Sequence, residues 1–414
     1  MRGAMRHHAP VRASTGFSMI DTPQRLRRAL TLLGGADELF VDTEFHREQT
    51  YWPQFALMQI AVRGAEGGRC FLIDPLAIDD LGPLWRLLLD PGRRKIFHAA
   101  RQDVEIIHHA SGGLPLPLFD TQVAAALLGY GQQVGFGTLV QQLTGVTLAK
   151  EATFTDWLAR PLSAAQRRYA ADDVLHLIPV YDHLRAQLQA RGRSDWLDDE
   201  QRQLTDPRAY QPDVETLFWR TKGSKSLKPK QLAVLRPLVA WREQTAQARD
   251  LPRKRLIPDE SLVELARQEE LDLERLAAIR GISRGLVKRF GAELLAAWRR
   301  GIATPPEEWP RRRRAATPAT PGSAPRADLL DALLQLKAAE LEIAPAILAS
   351  KSDLAALASW GGRKQPGPPP DIPLLRGWRR RLIGETMLEM LAGRLMIRID
   401  PERRLPVILP VAPH

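Results

Sequence analysis

The sequence predicts a multidomain chain, α/β in its first half and all-α in its second. Three observations carry this. The short apolar runs Glu38 to Phe45, Phe55 to Val62 and Arg69 to Asp74 follow one another closely, the last two separated by the glycine-bearing turn RGAEGG, and read as a three-stranded meander. A helical run (LGPLWRLLLD), a fourth strand (KIFHA) and a helix from Arg101 come next, an alternation typical of an α/β domain. From about Lys225 the pattern turns to helices joined by proline-marked loops. At 414 residues, 44% of them hydrophobic, the chain is too long for one ordinary core and suits two or three.

The first strand is also the most unusual. In ELFVDTEF two carboxylates interrupt a buried run, and burying them needs a reason. Residues two apart on a strand share a face, so Asp42 and Glu44 point to one site while Val41 and Thr43 face away. A hard cation such as Mg²⁺, which prefers carboxylate oxygens, is the simplest reason; a solvated strand end is the alternative. Asp103 lies just past the fourth strand, at the sheet edge where α/β proteins place ligands, although a first-turn acid favoured by the helix dipole reads the same way. From Leu127 to about Gln201 the chain is mostly helical, broken at GYGQQVGFG and at ARPLS, where Ser163 is placed to cap the next helix. On that helix Tyr169 and Asp173 are four apart and share a face, while Asp172 points elsewhere. Leu175, Ile178 and Val180 put Asp173 near buried surface, where a carboxylate needs a partner.

Charge divides the chain. The net is +11 with a pI near 10.1, which favours a polyanionic partner. Residues 1–205 carry 22 Lys and Arg against 23 Asp and Glu, leaving 37 against 25 for residues 206–414. The candidate ligand carboxylates lie in the first half and the excess of basic charge in the second. Cys70 is the only cysteine, which excludes an internal disulfide and a cysteine-rich zinc site and fits a reducing, intracellular compartment. No apolar run approaches the ~18–20 residues of a membrane span. Residues 1–18, with three arginines and no acid, read as a disordered tail, and His7 and His8 within it are assigned no metal.

The motifs DTE, HxxxxD and YxxxD, in this order, resemble the DEDD superfamily of 3′→5′ exonucleases, in the subgroup named for that tyrosine. DTEFHREQTYWPQFALMQIA, LIDPLAI, FDTQ, GVTLAK, TDWLARPLS and YAADDV are similar to the ribonuclease D family. The resemblance implies a ribonuclease H-like mixed-sheet exonuclease domain followed by two helical HRDC-type domains. It makes Asp42, Glu44, Asp103 and Asp173 the ligands of two divalent cations, Mg²⁺ or Mn²⁺. Asp42 would bridge both, Glu44 and Asp173 would serve the first, and Asp103 would reach the second, often through water. Tyr169 would orient the attacking water, and His98, before the second motif, is read as structural. The implied divisions are a tail (1–18), the exonuclease domain (19–205), a connector (206–224), a first HRDC domain (225–301), a Pro/Arg-rich linker (302–325) and a second HRDC-like unit (326–414).

RNA contacts are sought in the basic half. Arg253, Lys254 and Arg255 in a loop, and Arg284, Lys288 and Arg289 after the turn GISRG, are the candidates, and Arg311 to Arg314 either touch RNA or keep the linker solvated. Trp219, Trp241 and Trp298 offer either base stacking or core packing. The expectation is a cytoplasmic, monomeric 3′→5′ exoribonuclease that trims structured RNA such as tRNA precursors and releases 5′-mononucleotides. A DNA exonuclease is the second reading, since carboxylates do not sense a 2′-hydroxyl, and a non-catalytic RNA-binding scaffold is the third.

Overall fold

This computed structural model describes residues 16–64, 67–149, 155–311, 320–363 and 367–411. Residues 1–15 of the expected tail and Arg312 to Arg314 of the linker lie outside the described residues.

Strand β1 (Phe17–Ile20) leads into α1 (Pro23–Leu33), whose first turn is capped by Thr22. The expected meander follows as β2 (Glu38–His46), β3 (Gln54–Gly64) and β4 (Gly67–Ile73). Next come α2 (Gly82–Leu88), β5 (Arg94–Phe97), α3 (Arg101–Ser111), β6 (Leu118–Asp120) and α4 (Thr121–Leu127). The sheet order is β1-β4-β3-β2-β5-β6, and β3 runs antiparallel to the other five strands. This is the mixed sheet expected of the exonuclease domain, with β1 and β6 added to what the periodicity shows.

Helices α5 (Phe136–Thr144), α6 (Ala164–Leu175), α7 (Leu177–Ala190) and α8 (Ser194–Gln201) complete this part of the chain. Strand parity sorts β2 between two apolar layers. Leu39 and Val41 pack with α1, α2 and α3, whereas Phe40 packs with α4, α6 and α7. Asp42 and Glu44 follow the parity of Phe40 and so face α6, the helix that carries Tyr169 and Asp173.

Helices α9 (Pro229–Ala248), α10 (Arg253–Leu256), α11 (Asp259–Arg267), α12 (Leu273–Ala278) and α13 (Arg284–Ile302) enclose a separate core built on Leu235, Leu238, Leu262, Leu276 and Leu294. The crossing of α13 on α9 is close: a Cβ on Gly301 would meet Val234 Cα at 2.4 Å. Trp241 and Trp298, each 7% exposed, belong to this core, which removes both from the base-stacking candidates.

Helices α14 (Ser323–Leu341), α15 (Pro345–Leu348) and α16 (Lys351–Trp360) come next. Helix α17 (Gly377–Arg379) then runs through a π turn (Arg380–Gly384) into α18 (Glu385–Leu391). The chain closes with a hairpin of β7 (Leu395–Ile399) and β8 (Pro406–Pro410), a departure from the purely helical expectation for this half. These elements share one apolar cluster with α4 and α6 to α8: Leu330, Leu333 and Leu357 pack with Leu184, Leu188 and Leu197. At the seam the buried Arg193 donates to the carbonyls of Leu127 (2.7 Å) and Leu341 (2.6 Å), and Trp196 stacks on Trp378 at 4.7 Å. Among the described residues no helix is long and apolar enough to cross a membrane.

Candidate active site

Three elements supply the candidate residues, and two of them, β2 and α6, bring theirs into one carboxylate cluster that does not include Asp103. β2 supplies Asp42 and Glu44, α3 supplies Asp103, and α6 supplies Tyr169 and Asp173. Helix α6 starts where Ser163 and Gln166 form a reciprocal capping box, with Gln166 N to Ser163 Oγ at 3.1 Å and Ser163 N to Gln166 Oε1 at 2.9 Å. The segment before it is bolted to the sheet. Arg160 makes a two-pronged ion pair with Asp74 (2.6 and 2.8 Å), which is 3% exposed, and also donates to the Ala56 carbonyl at 2.6 Å. That bracket seats the buried Trp157 against Tyr169, ring centroids 6.1 Å apart.

Helix α3 is placed by Asp120. Its carboxylate accepts the backbone N–H groups of Ala99 (3.0 Å) and Ala100 (2.9 Å), and that of Gln122 (2.8 Å) at the start of α4. Ala99 bends the chain there with φ of 57°. Asp103, 6% exposed, follows in the first turn, and its Oδ1 accepts the Thr43 hydroxyl at 2.6 Å. Thr43, on the opposite parity to Asp42 and Glu44, thus ties α3 to β2.

Asp42, Glu44 and Asp173 each bring a carboxylate oxygen within 4.8 Å of the other two. Tyr169 donates its hydroxyl to Asp173. The electrostatics are those of crowded, uncompensated anions. Burial pushes Asp42 up to about 7; burial and then the charges of Asp42, Asp173 and Asp103 push Glu44 up to about 10. Burial first, then the neighbouring Asp42, raises Asp103 and Asp173 well above the usual carboxylate range. Carboxylates this close, short of positive charge and rich in hard oxygen donors, fit a divalent cation site.

Asp172 turns away to Arg168 at 3.5 Å, as its position on the helix predicts. His98 is tied into the fold: Nε2 donates to the Val134 carbonyl at 3.0 Å, Nδ1 meets the Thr121 hydroxyl at 2.9 Å, and burial holds its pKa below the ordinary value.

The six basic candidates lie elsewhere, on α10 and α13. Arg253, Lys254 and Arg255 form the one-turn helix α10 rather than a loop. Arg253 is held by the buried Glu243 and by the Tyr51 hydroxyl at 2.9 Å, so its guanidinium joins the β2–β3 loop to α9. The backbone N–H groups of Tyr51 and Trp52 donate to Asp250 at 3.0 Å across the same contact. Lys254, Arg255, Arg284, Lys288 and Arg289 are exposed. Sequence reasoning missed Gln59, Asp74, Asp120, Trp157 and Arg160 as supports of the site, although every one lies in a motif it singled out.

The chain is similar to known proteins over most of its length. The 3'-5' exonuclease family model matches residues 17–189, and the HRDC domain model matches residues 231–298. Ribonuclease D of Gluconacetobacter diazotrophicus is 42% identical over 398 residues, 95% of this chain and 96% of that protein. The chain belongs to the ribonuclease D family. Ribonuclease D of Granulibacter bethesdensis is 40% identical over 386 residues, 92% of this chain and 94% of that one. The crystal structure of Escherichia coli RNase D, an exoribonuclease involved in structured RNA processing, matches with a TM-score of 0.76 at 31% identity, covering 91% of this chain and 99% of that one. As a ribonuclease D family member the protein is a 3′→5′ exoribonuclease, and its cluster of three carboxylates fits the use of divalent metal.

Proposed function

We propose that the recess holds two divalent cations, Mg²⁺ or Mn²⁺, and that the enzyme trims the 3′ ends of structured RNA such as tRNA precursors, releasing 5′-mononucleotides. The observation that carries this is the convergence of Asp42, Glu44 and Asp173 within 4.8 Å, with Asp103 beside Asp42. Glu44, Asp173 and Asp42 would hold one cation, and Asp42 with Asp103 the other. Bound there, such ions stabilise charge on the phosphate under attack and favour deprotonation of water. Four carboxylates offset the four positive charges of two such ions, which is why this half of the chain need not be basic.

Tyr169 acts by orientation. A phenol with an ordinary pKa of about 10 is a poor base at neutral pH, so its hydroxyl positions the attacking water by hydrogen bonding. Its ring is backed by Trp157, and its hydroxyl is aligned through Asp173. Lys254, Arg255, Arg284, Lys288 and Arg289 are proposed to contact RNA phosphates; the guanidinium of Arg253 is occupied. Residues 326–414 are read as a second HRDC-like unit with an added hairpin, and the enzyme as a cytoplasmic monomer.

Asp42→Ala and Asp173→Ala test this reading: each should abolish RNA shortening while leaving RNA affinity within a few-fold of the parent. A variant that still degrades RNA in a contaminant-free preparation would contradict the assignment. A matched single-stranded DNA in the same assay separates ribonuclease from deoxyribonuclease action.

A further inference from the structure

Gln59 lies in the middle of β3, in a row whose neighbours on the same sheet face, Leu57 and Ala61, are apolar and buried. It is itself fully buried, and the strand register places it directly opposite Asp42. Its amide Nε2 donates to Asp42 Oδ2 at 3.4 Å, and the same amide hydrogen-bonds Glu44. Its carbonyl oxygen, Oε1, is buried without a hydrogen-bond partner.

That orphaned oxygen is informative. A buried polar atom left unpaired is a cost to the fold, and a leucine or methionine here would match the apolar row and avoid it. What the amide brings is a pair of N–H donors on one planar group, aimed at two carboxylates that are both candidate ligands of the same ion. Donors of this kind fix the rotation of each carboxylate and occupy one lone-pair direction, leaving the others for a cation.

We infer that Gln59 is a positioning residue of the cation site, its carboxamide holding Asp42 and Glu44 in the orientation in which both face one ion. The inference rests on the metal reading of the recess. It makes Gln59 a residue kept for function at the expense of stability.

The experiment is calorimetric titration of Mn²⁺ into the full chain, wild type beside Gln59→Met and Gln59→Leu, with melting curves of all three in EDTA. Mn²⁺ affinity should fall about 10–100-fold in both variants, the usual consequence of removing a group that orients a metal ligand. The metal-free melting temperature should stay level or rise, and RNA cleavage should recover towards wild type as Mn²⁺ is raised. Mn²⁺ affinity within twofold of wild type in either folded variant overturns the inference. So does a large loss of metal-free melting temperature in both variants, because Gln59 would then serve the fold. A wild-type chain that takes up no Mn²⁺ overturns the metal reading itself, a result distinct from either.

Discussion

Neutralising Asp42 should stabilise the metal-free protein while ending catalysis. Burial raises the Asp42 carboxyl from 3.8 to about 7, so the folded chain holds this proton more tightly than the unfolded chain does. This stabilising contribution is complete below about pH 4 and is lost as pH rises through about 7. A rise from 3.8 to about 7 corresponds to roughly 4 kcal/mol, an upper figure because Glu44, Asp103 and Asp173 share the recess. Asparagine keeps the shape without the charge and should recover much of that energy at pH 8. At about 2–4 °C per kcal/mol for a domain of this size, Asp42→Asn should melt several degrees above wild type in EDTA, with the gap closing towards pH 5. Adding Mn²⁺ should reverse the order, because the wild-type site binds the ion and gains stability in proportion. An Asp42→Asn protein that melts below wild type at pH 8 in EDTA, or a gap indifferent to pH, would refute the electrostatic argument.

Two further outcomes follow from contacts outside the recess. Arg160→Ala strips the guanidinium from the buried Asp74, which should cost about 3–5 kcal/mol in urea unfolding. Because the bracket also seats Trp157 against Tyr169, the same variant should lose turnover in whatever fraction stays folded, and Arg160→Lys should restore only part, since an ammonium cannot make the two-pronged pair. Tyr51→Phe removes a hydroxyl bonded to Glu243, Gln247 (3.0 Å) and Arg253 (2.9 Å), leaving the Arg253–Glu243 pair intact. Its cost should be about 1–2 kcal/mol, read as faster tryptic cleavage within residues 206–224; unchanged digestion would show that this contact does not hold the two parts together.

What could be read from the sequence was local. The period of two on β2 separates Asp42 and Glu44 from Val41 and Thr43, and the four-residue spacing on α6 puts Tyr169 beside Asp173; both survive folding because they depend only on backbone geometry. Strand β6, of three residues, is too short for a period to register, and β1 begins at Phe17, inside the stretch read as a disordered tail. The terminal hairpin was hidden by prolines at both ends of β8, which sit where an edge strand tolerates them. Interactions across the chain left no local trace. Gln59 finds Asp42 across the β2–β3 pair, Arg160 finds Asp74 at a separation of 86 residues, and Arg253 finds Tyr51 at 202. A polar residue inside a recognised motif therefore gives its presence away but not its partner. Trp241 and Trp298 show the converse, since helical spacing allowed both a stacking surface and a core, and burial decided for the core.

The most direct test is a time course on a 3′-extended structured RNA with Mg²⁺, Mn²⁺ or EDTA, run beside Asp173→Ala. The predicted result is stepwise shortening from the 3′ end with release of 5′-mononucleotides, abolished by EDTA and by the substitution. Shortening that continues in EDTA, or in the Asp173→Ala protein, would contradict a carboxylate-held metal site as the seat of catalysis.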